Sequence, residues 1–128
     1  MGNGTSIGRV RGLGAAHHGA HHWLVQRFTA IGNVVLMSWL LVSLALLGDY
    51  SHANVAKWLS QPLSATAMIL LVVSLFWHAR LGLQVLIEDY VHEAGTKFAV
   101  IAALNLATIG GGAFGIFSVA ALAFGGNA

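Results

Sequence analysis

Three apolar runs, each long enough to cross a bilayer and none containing an acidic residue, constrain this chain more than any other feature. Phe28 to Leu47 is twenty residues without a charge, and about twenty apolar residues of helix cover a hydrocarbon core of roughly 30 Å. Leu63 to Ile87 forms the second run, its helix expected to continue to about Tyr90, and Phe98 to Phe124 forms the third. Composition agrees: 57% of residues are hydrophobic and 8% charged, against roughly 25% charged in a soluble domain. The expected fold class is an all-α membrane protein with three transmembrane helices, spans about 28–47, 63–90 and 98–124. Residues 1–27 are read as a surface segment and 28–128 as one membrane domain.

Composition also excludes functions. A net charge of +2 is too small and too scattered to point to nucleic acid. With no cysteine, the chain holds neither a disulfide nor a cysteine-ligated iron–sulfur cluster. No glycine-rich dinucleotide fingerprint follows a strand, so a flavin or nicotinamide domain is absent as well. In any redox chemistry, the flavin and clusters would belong to other chains.

The stretch Trp77 to His92, W-H-A-R-L-G-L-Q-V-L-I-E-D-Y-V-H, gathers most of the chemistry. His78 is the only histidine inside an apolar run. A titratable ring at membrane depth is costly, so it faces a partner, a cofactor or a cavity rather than lipid. Position alone leaves three readings open: a hydrogen-bonded structural histidine, a haem ligand or a proton relay. At about 100° per residue, Gly82 lies one turn beyond His78 and Asp89 about three turns beyond, all near one azimuth. A histidine with glycine at i+4 suits a flat macrocycle, because the bare glycine lets the ring approach the backbone. Tyr90 stands where the helix leaves the bilayer, as an aromatic-belt residue or as part of a polar site at the membrane surface.

The pattern H-A-x-x-G ending in D-Y-V resembles the small hydrophobic anchor subunit of succinate dehydrogenase, respiratory complex II. That family places a haem-ligating histidine in its second transmembrane helix and a D-Y pair eleven and twelve residues later, the offsets that join His78 to Asp89 and Tyr90 here. S-I-G-R at Ser6 to Arg9 and V-Q-R-F-T-A at Val25 to Ala30 are similar to the family's amino-terminal segment. The resemblance implies haem b with His78 as an axial ligand and Gly82 packed against the ring. It also implies Arg27 on a haem propionate and Tyr90 holding a ubiquinone carbonyl, supported by Asp89. Position alone balances Arg27 between that role and an ordinary positive-inside anchor. Gln84 and Arg80 depart from some relatives' pattern and leave the haem edge contacts undefined.

A six-coordinate haem needs two axial ligands, and no second histidine lies within a span. The other ligand is therefore expected from a second cytochrome b-type anchor subunit, making the three helices part of a hetero-oligomeric bundle. FAD and iron–sulfur clusters are expected in separate flavoprotein and iron–sulfur subunits, and no succinate-oxidising site in this chain. Two alternatives stand beside this reading: the anchor of a fumarate reductase, and a non-redox structural or transport bundle.

The rest of the chain adds placement. Met1 to Gln26, rich in glycine and histidine, is read as a retained tail along the membrane or a partner, with a short transit-like segment as the alternative. His17, His18, His21 and His22 share helix faces at i and i+4, yet no carboxylate or thiol supports a metal site. A surface cluster is the preferred reading, with haem propionates or the quinone mouth as possible neighbours. Thr29 and Asn33 fall a turn apart and suggest a polar stripe toward the bundle. Gly48 to Gln61 is expected as a loop with a solvated His52 and an interfacial Trp58; Pro62 suits the first turn of the next helix. Arg80 points roughly 160° from His78, either snorkelling toward the interface or pairing with a partner subunit. His92, Glu93, Gly95 and Lys97 are expected to form a turn. Gly111 and Gly115, in G-x-x-x-G spacing beside Gly112, read as a helix-packing face. Arg9, Arg11 and Arg27 before the first span, against Lys57 in the first loop, place the amino terminus and the Asp89–Tyr90 turn inside. The expected location is a bacterial plasma membrane, ahead of a mitochondrial inner membrane.

Overall fold

The computed structural model describes residues 19–125. They form four helices: α1 (Gly19–Leu47), α2 (His52–Leu59), α3 (Pro62–Tyr90) and α4 (Ala94–Ala123), with no strand among the described residues. The Ser6–Arg9 patch, Arg11, His17 and His18 lie outside the described residues. Helices α1, α3 and α4 have 29, 29 and 30 residues, about 45 Å each at 1.5 Å per residue. All three are long and apolar enough to cross a membrane.

Local chemistry sets the boundaries, and it departs from the sequence expectation in three places. Helix α1 begins at Gly19, well before the uncharged run. Nothing between Ala20 and Gln26 breaks a helix, and Val25 and Gln26 already turn partly buried faces inward. The segment expected as a loop before Pro62 contains α2. Gly48, at φ 71°, ends α1 in a left-handed turn that favours glycine. The Asp49 carboxylate then accepts from the Ser51 amide (3.0 Å) and hydroxyl (2.7 Å), while Asn54 Nδ2 donates to the Asp49 carbonyl (2.9 Å). The Ser51 hydroxyl first, and its amide second, hold the Asp49 carboxyl below the usual carboxylate range. From this anchor Leu59 reaches the interior, and Trp58 stacks on Trp39 of α1 with centroids 5.6 Å apart. Pro62 opens α3, where its missing N–H costs nothing. The third departure is α4, which starts at Ala94, so Gly95 and Lys97 are helical rather than part of a turn. Glu93 is the cap, accepting from the Gly95 and Thr96 amides. Hydrogen bonding from Thr96, then from Gly95, lowers its carboxyl from the ordinary value.

Helix α3 is the middle of a row: α1 packs on one side of it, α4 on the other, and α1 and α4 share no packed face. On the α1 side, Gly32 lies against Ser74, whose hydroxyl donates to the Thr29 carbonyl at 3.3 Å. On the α4 side the glycine-rich stretch is the contact face that its spacing predicts. A Cβ on Gly111 would sit 2.6 Å from Phe76, and one on Gly115 would sit 2.9 Å from Val72. Bare glycines there admit a neighbouring backbone that any larger residue would push away. Both helix pairs run antiparallel, which brings the start of α1, the end of α3 and the start of α4 to one end of the row.

Little is enclosed. The buried apolar side chains among the described residues are Leu59, Leu71, Leu81 and Val119, whereas Phe28, Leu46 and Phe98 are each more than three-quarters exposed. Such surfaces belong against lipid or other chains.

The Gly111 contact is testable in detergent. Gly111→Ala forces Phe76 to move and lowers stability by about 1–3 kcal/mol. Gly110→Ala meets open space and holds or raises it, by up to about 1 kcal/mol of helix propensity. Thermal midpoints of the two variants separate these outcomes.

Candidate functional site

His78 sits past the middle of α3, half-buried, with its ring turned toward α1. Its Nδ1 lies 3.0 Å from the Thr29 hydroxyl oxygen. That hydroxyl also approaches the carbonyls of Val25 (2.9 Å) and Gln26 (3.1 Å). A threonine hydroxyl carries one proton, and a carbonyl can only accept. Bonding back to Val25, the hydroxyl spends its proton on its own helix and presents a lone pair to His78. The imidazole then donates from Nδ1, and Nε2 keeps its lone pair, without a hydrogen-bond partner among the described residues. The Nδ1–H tautomer is thus assigned from the hydrogen-bond network.

One turn on, Gly82 is exposed, and a Cβ there would meet only Gln26 Nε2, at 3.6 Å. That is ordinary contact, so packing within the chain does not demand a glycine at this position. The chain thus holds an oriented imidazole with one free nitrogen beside a backbone with no side chain. This donor set fits a flat macrocycle on its iron: neutral imidazole is a suitable axial ligand, and a glycine at i+4 removes the nearest obstruction.

Other site residues lie apart from this pair. Arg27 is exposed, and its guanidinium carbon lies 5.5 Å from the centroid of the Trp23 ring. Two residues from Thr29, it points about 160° away from the α1 face that meets α3, so the structure does not bring Arg27 to His78. Asp89 and Tyr90 are the last residues of α3, both exposed, Tyr90 by 76%. They stand about 16 Å along the helix from His78, at the same end of the row as the start of α1. His21 is exposed, while His22 is half-buried, and both line a cleft of about 270 Å³ with Trp77, Arg80 and Gln84.

Arg80 pairs within the chain. Its Nε donates to Asn105 Oδ1 of α4 at 2.6 Å, and its guanidinium lies over the Trp77 ring at 5.6 Å. Both residues border an open groove of about 600 Å³ between α3 and α4. Sequence reasoning missed this pair, although a signal existed: Asn105 is the only amide in the third run. It likewise placed Thr29 on a polar stripe without finding its target. Running α1 and α3 antiparallel from the connecting loop would have brought residues 29 and 78 to one level.

The transmembrane-subunit model of succinate dehydrogenase and fumarate reductase matches residues 1–112. The chain belongs to this family. Among named relatives, the succinate dehydrogenase hydrophobic membrane anchor subunit of Rickettsia bellii is 36% identical over 82% of this chain and 84% of its own. The corresponding subunit of Rickettsia felis is 36% identical over 70% of this chain and 77% of its own. The succinate dehydrogenase membrane anchor subunit of Reclinomonas americana is 33% identical over 71% and 78%. No solved structure matches the chain. Family membership decides against an unrelated structural or transport bundle.

The Arg80–Asn105 contact yields a check. Asn105→Leu strands Arg80 Nε at membrane depth and costs about 1–3 kcal/mol. Adding Arg80→Met recovers much of that loss, because both polar partners are then gone. Thermal midpoints of the single and double variants measure the coupling.

Proposed function

We propose that this chain is the small anchor of a succinate:quinone oxidoreductase. In this reading it contributes one axial ligand of a haem b through His78 and part of a ubiquinone-reducing site through Tyr90 and Asp89. The observation that carries the reading is the His78 imidazole, held at Nδ1 by Thr29 and free at Nε2 beside Gly82. It lies inside a span of a chain from this family. The relatives compared above are named as succinate dehydrogenase subunits, which favours succinate oxidation over the reverse fumarate reaction.

His78 Nε2 would hold the iron and Gly82 would lie against the ring. The second axial ligand would come from a cytochrome b-type anchor subunit. Haem b, when bound, supplies a one-electron redox centre within the bilayer. The propionate role of Arg27 belongs to the same proposal: its planar fork suits a carboxylate, provided the side chain leaves Trp23. FAD and iron–sulfur clusters would reside in flavoprotein and iron–sulfur subunits docked at the Asp89–Tyr90 end. The arginine bias before the first uncharged run supports an amino terminus on the cytoplasmic side of a bacterial plasma membrane.

A quinone accepting two electrons also takes up two protons. The Tyr90 hydroxyl would donate a hydrogen bond to one carbonyl oxygen and orient the ring. Asp89, exposed at the helix end, would relay protons from water or orient a partner's cation.

In the purified complex, His78→Ala is expected to abolish the dithionite-reduced b-type absorption bands. An unchanged spectrum defeats the ligand assignment. Tyr90→Phe is expected to keep haem and assembly while lowering quinone reduction about tenfold, the worth of one good hydrogen bond. Succinate oxidation with an artificial acceptor is expected to stay normal. Wild-type quinone kinetics in that variant refute the role of Tyr90.

A further inference from the structure

We infer that Thr29 is the positioning residue for His78: its hydroxyl oxygen accepts a hydrogen bond from Nδ1–H, fixes the ring plane and raises the electron density that Nε2 offers to a metal. The inference rests on the haem reading of His78 above.

Thr29 is buried and bonded back to its own helix. It is 9% exposed, and its oxygen bonds back to Val25 at 2.9 Å and Gln26 at 3.1 Å. A β-branched side chain has few χ1 choices in a helix, and back-bonding selects one of them. Its backbone carbonyl accepts from Ser74 on α3 at 3.3 Å, where Gly32 lets the helices close in. Two ties from α3, at Ser74 and His78, thus reach one residue of α1. The hydroxyls of Ser38, Thr108 and Ser118 bond only to carbonyls of their own helices. Thr29 alone among these turns a bound hydroxyl across the interface to a titratable ring.

Chemistry gives the direction. A hydrogen bond accepted from Nδ1–H makes the imidazole more basic at Nε2. A more basic axial ligand favours the ferric over the ferrous iron. Removing the acceptor is therefore expected to raise the midpoint potential, and freeing the ring is expected to broaden its range of orientations.

The test uses the purified whole complex in four forms: wild type, Thr29→Val, Thr29→Ser and His78→Ala. The valine keeps volume and shape without the hydroxyl, and the serine keeps the hydroxyl. Readouts are haem content, spectroelectrochemical midpoint potential and the low-spin ferric EPR signal. Thr29→Val is expected to shift the ferric-to-ferrous ratio at fixed potential toward ferrous by about three- to tenfold, the range of one neutral hydrogen bond, and to broaden the EPR signal. Thr29→Ser is expected to return both toward wild type. A Thr29→Val complex with wild-type potential and EPR signal overturns the inference, as would a merely packing role. Should the valine variant fail to assemble, Thr29→Cys, whose sulfur is a weak acceptor, is expected to shift the potential in the same direction; a wild-type value there overturns the inference equally. Retention of the haem spectrum in His78→Ala marks failure of the underlying reading instead, so the two failures are distinguishable.

Discussion

Hydrocarbon offers no hydrogen-bond partner, so each polar atom carried into it must be met by protein. That constraint arranges this molecule. Backbone groups are met by helix, and Ser38, Thr108 and Ser118 return their hydroxyls to their own helix carbonyls. His78 and Arg80 cannot be satisfied so locally. Each reaches a neighbouring helix, His78 to Thr29 on α1 and Arg80 to Asn105 on α4. With the two rings of polarity on nearly opposite sides of α3, that helix must lie between the others. The row is the architecture these two contacts require.

Two buried acceptors, Gln26 Oε1 and Asn33 Oδ1, have no partner among the described residues. Both lie on α1, flanking Thr29 in the sequence. Together with the Nε2 of His78 they leave polar atoms on the α1–α3 side without partners among the described residues. The exposed apolar flanks carry the same message in hydrophobic terms: the described fold is one part of a larger membrane body. A shared prosthetic group and a second anchor subunit are what the proposed function sets against that seam.

The spans were legible because length without charge is a strong signal, and His78 stood out because intramembrane histidine is rare. The glycine face of α4 was legible for a similar reason: small residues at four-residue spacing have one common use. Contacts were harder to read. That Thr29 meets His78 depends on register between two helices, which neither helix states by itself. Arg80 has donors enough for many partners, and only the packing of Gly111 against Phe76 sets α4 at the depth where Asn105 meets it. Helix α2 was missed because its eight residues are mostly short or polar, and its order derives from Asp49 bonding outside the helix. The start of α4 was misplaced because Glu93 reads as a loop charge until its caps are seen. Arg27 carries a role by resemblance, but its azimuth faces away from His78. Position along a helix is readable from sequence, while reach around it is not.

Helix α3 packs against both other long helices, while α4 also meets α2, and α1 meets α2 through the Trp39–Trp58 stack. A substitution on α3 can therefore disturb either long neighbour, and the proposed cofactor and quinone chemistry is carried by this same helix. At outward positions such as Leu41 and Phe117, exchange among apolar residues disturbs little within the chain. Tolerance to change thus lies on the outward faces, and the central helix has the least of it.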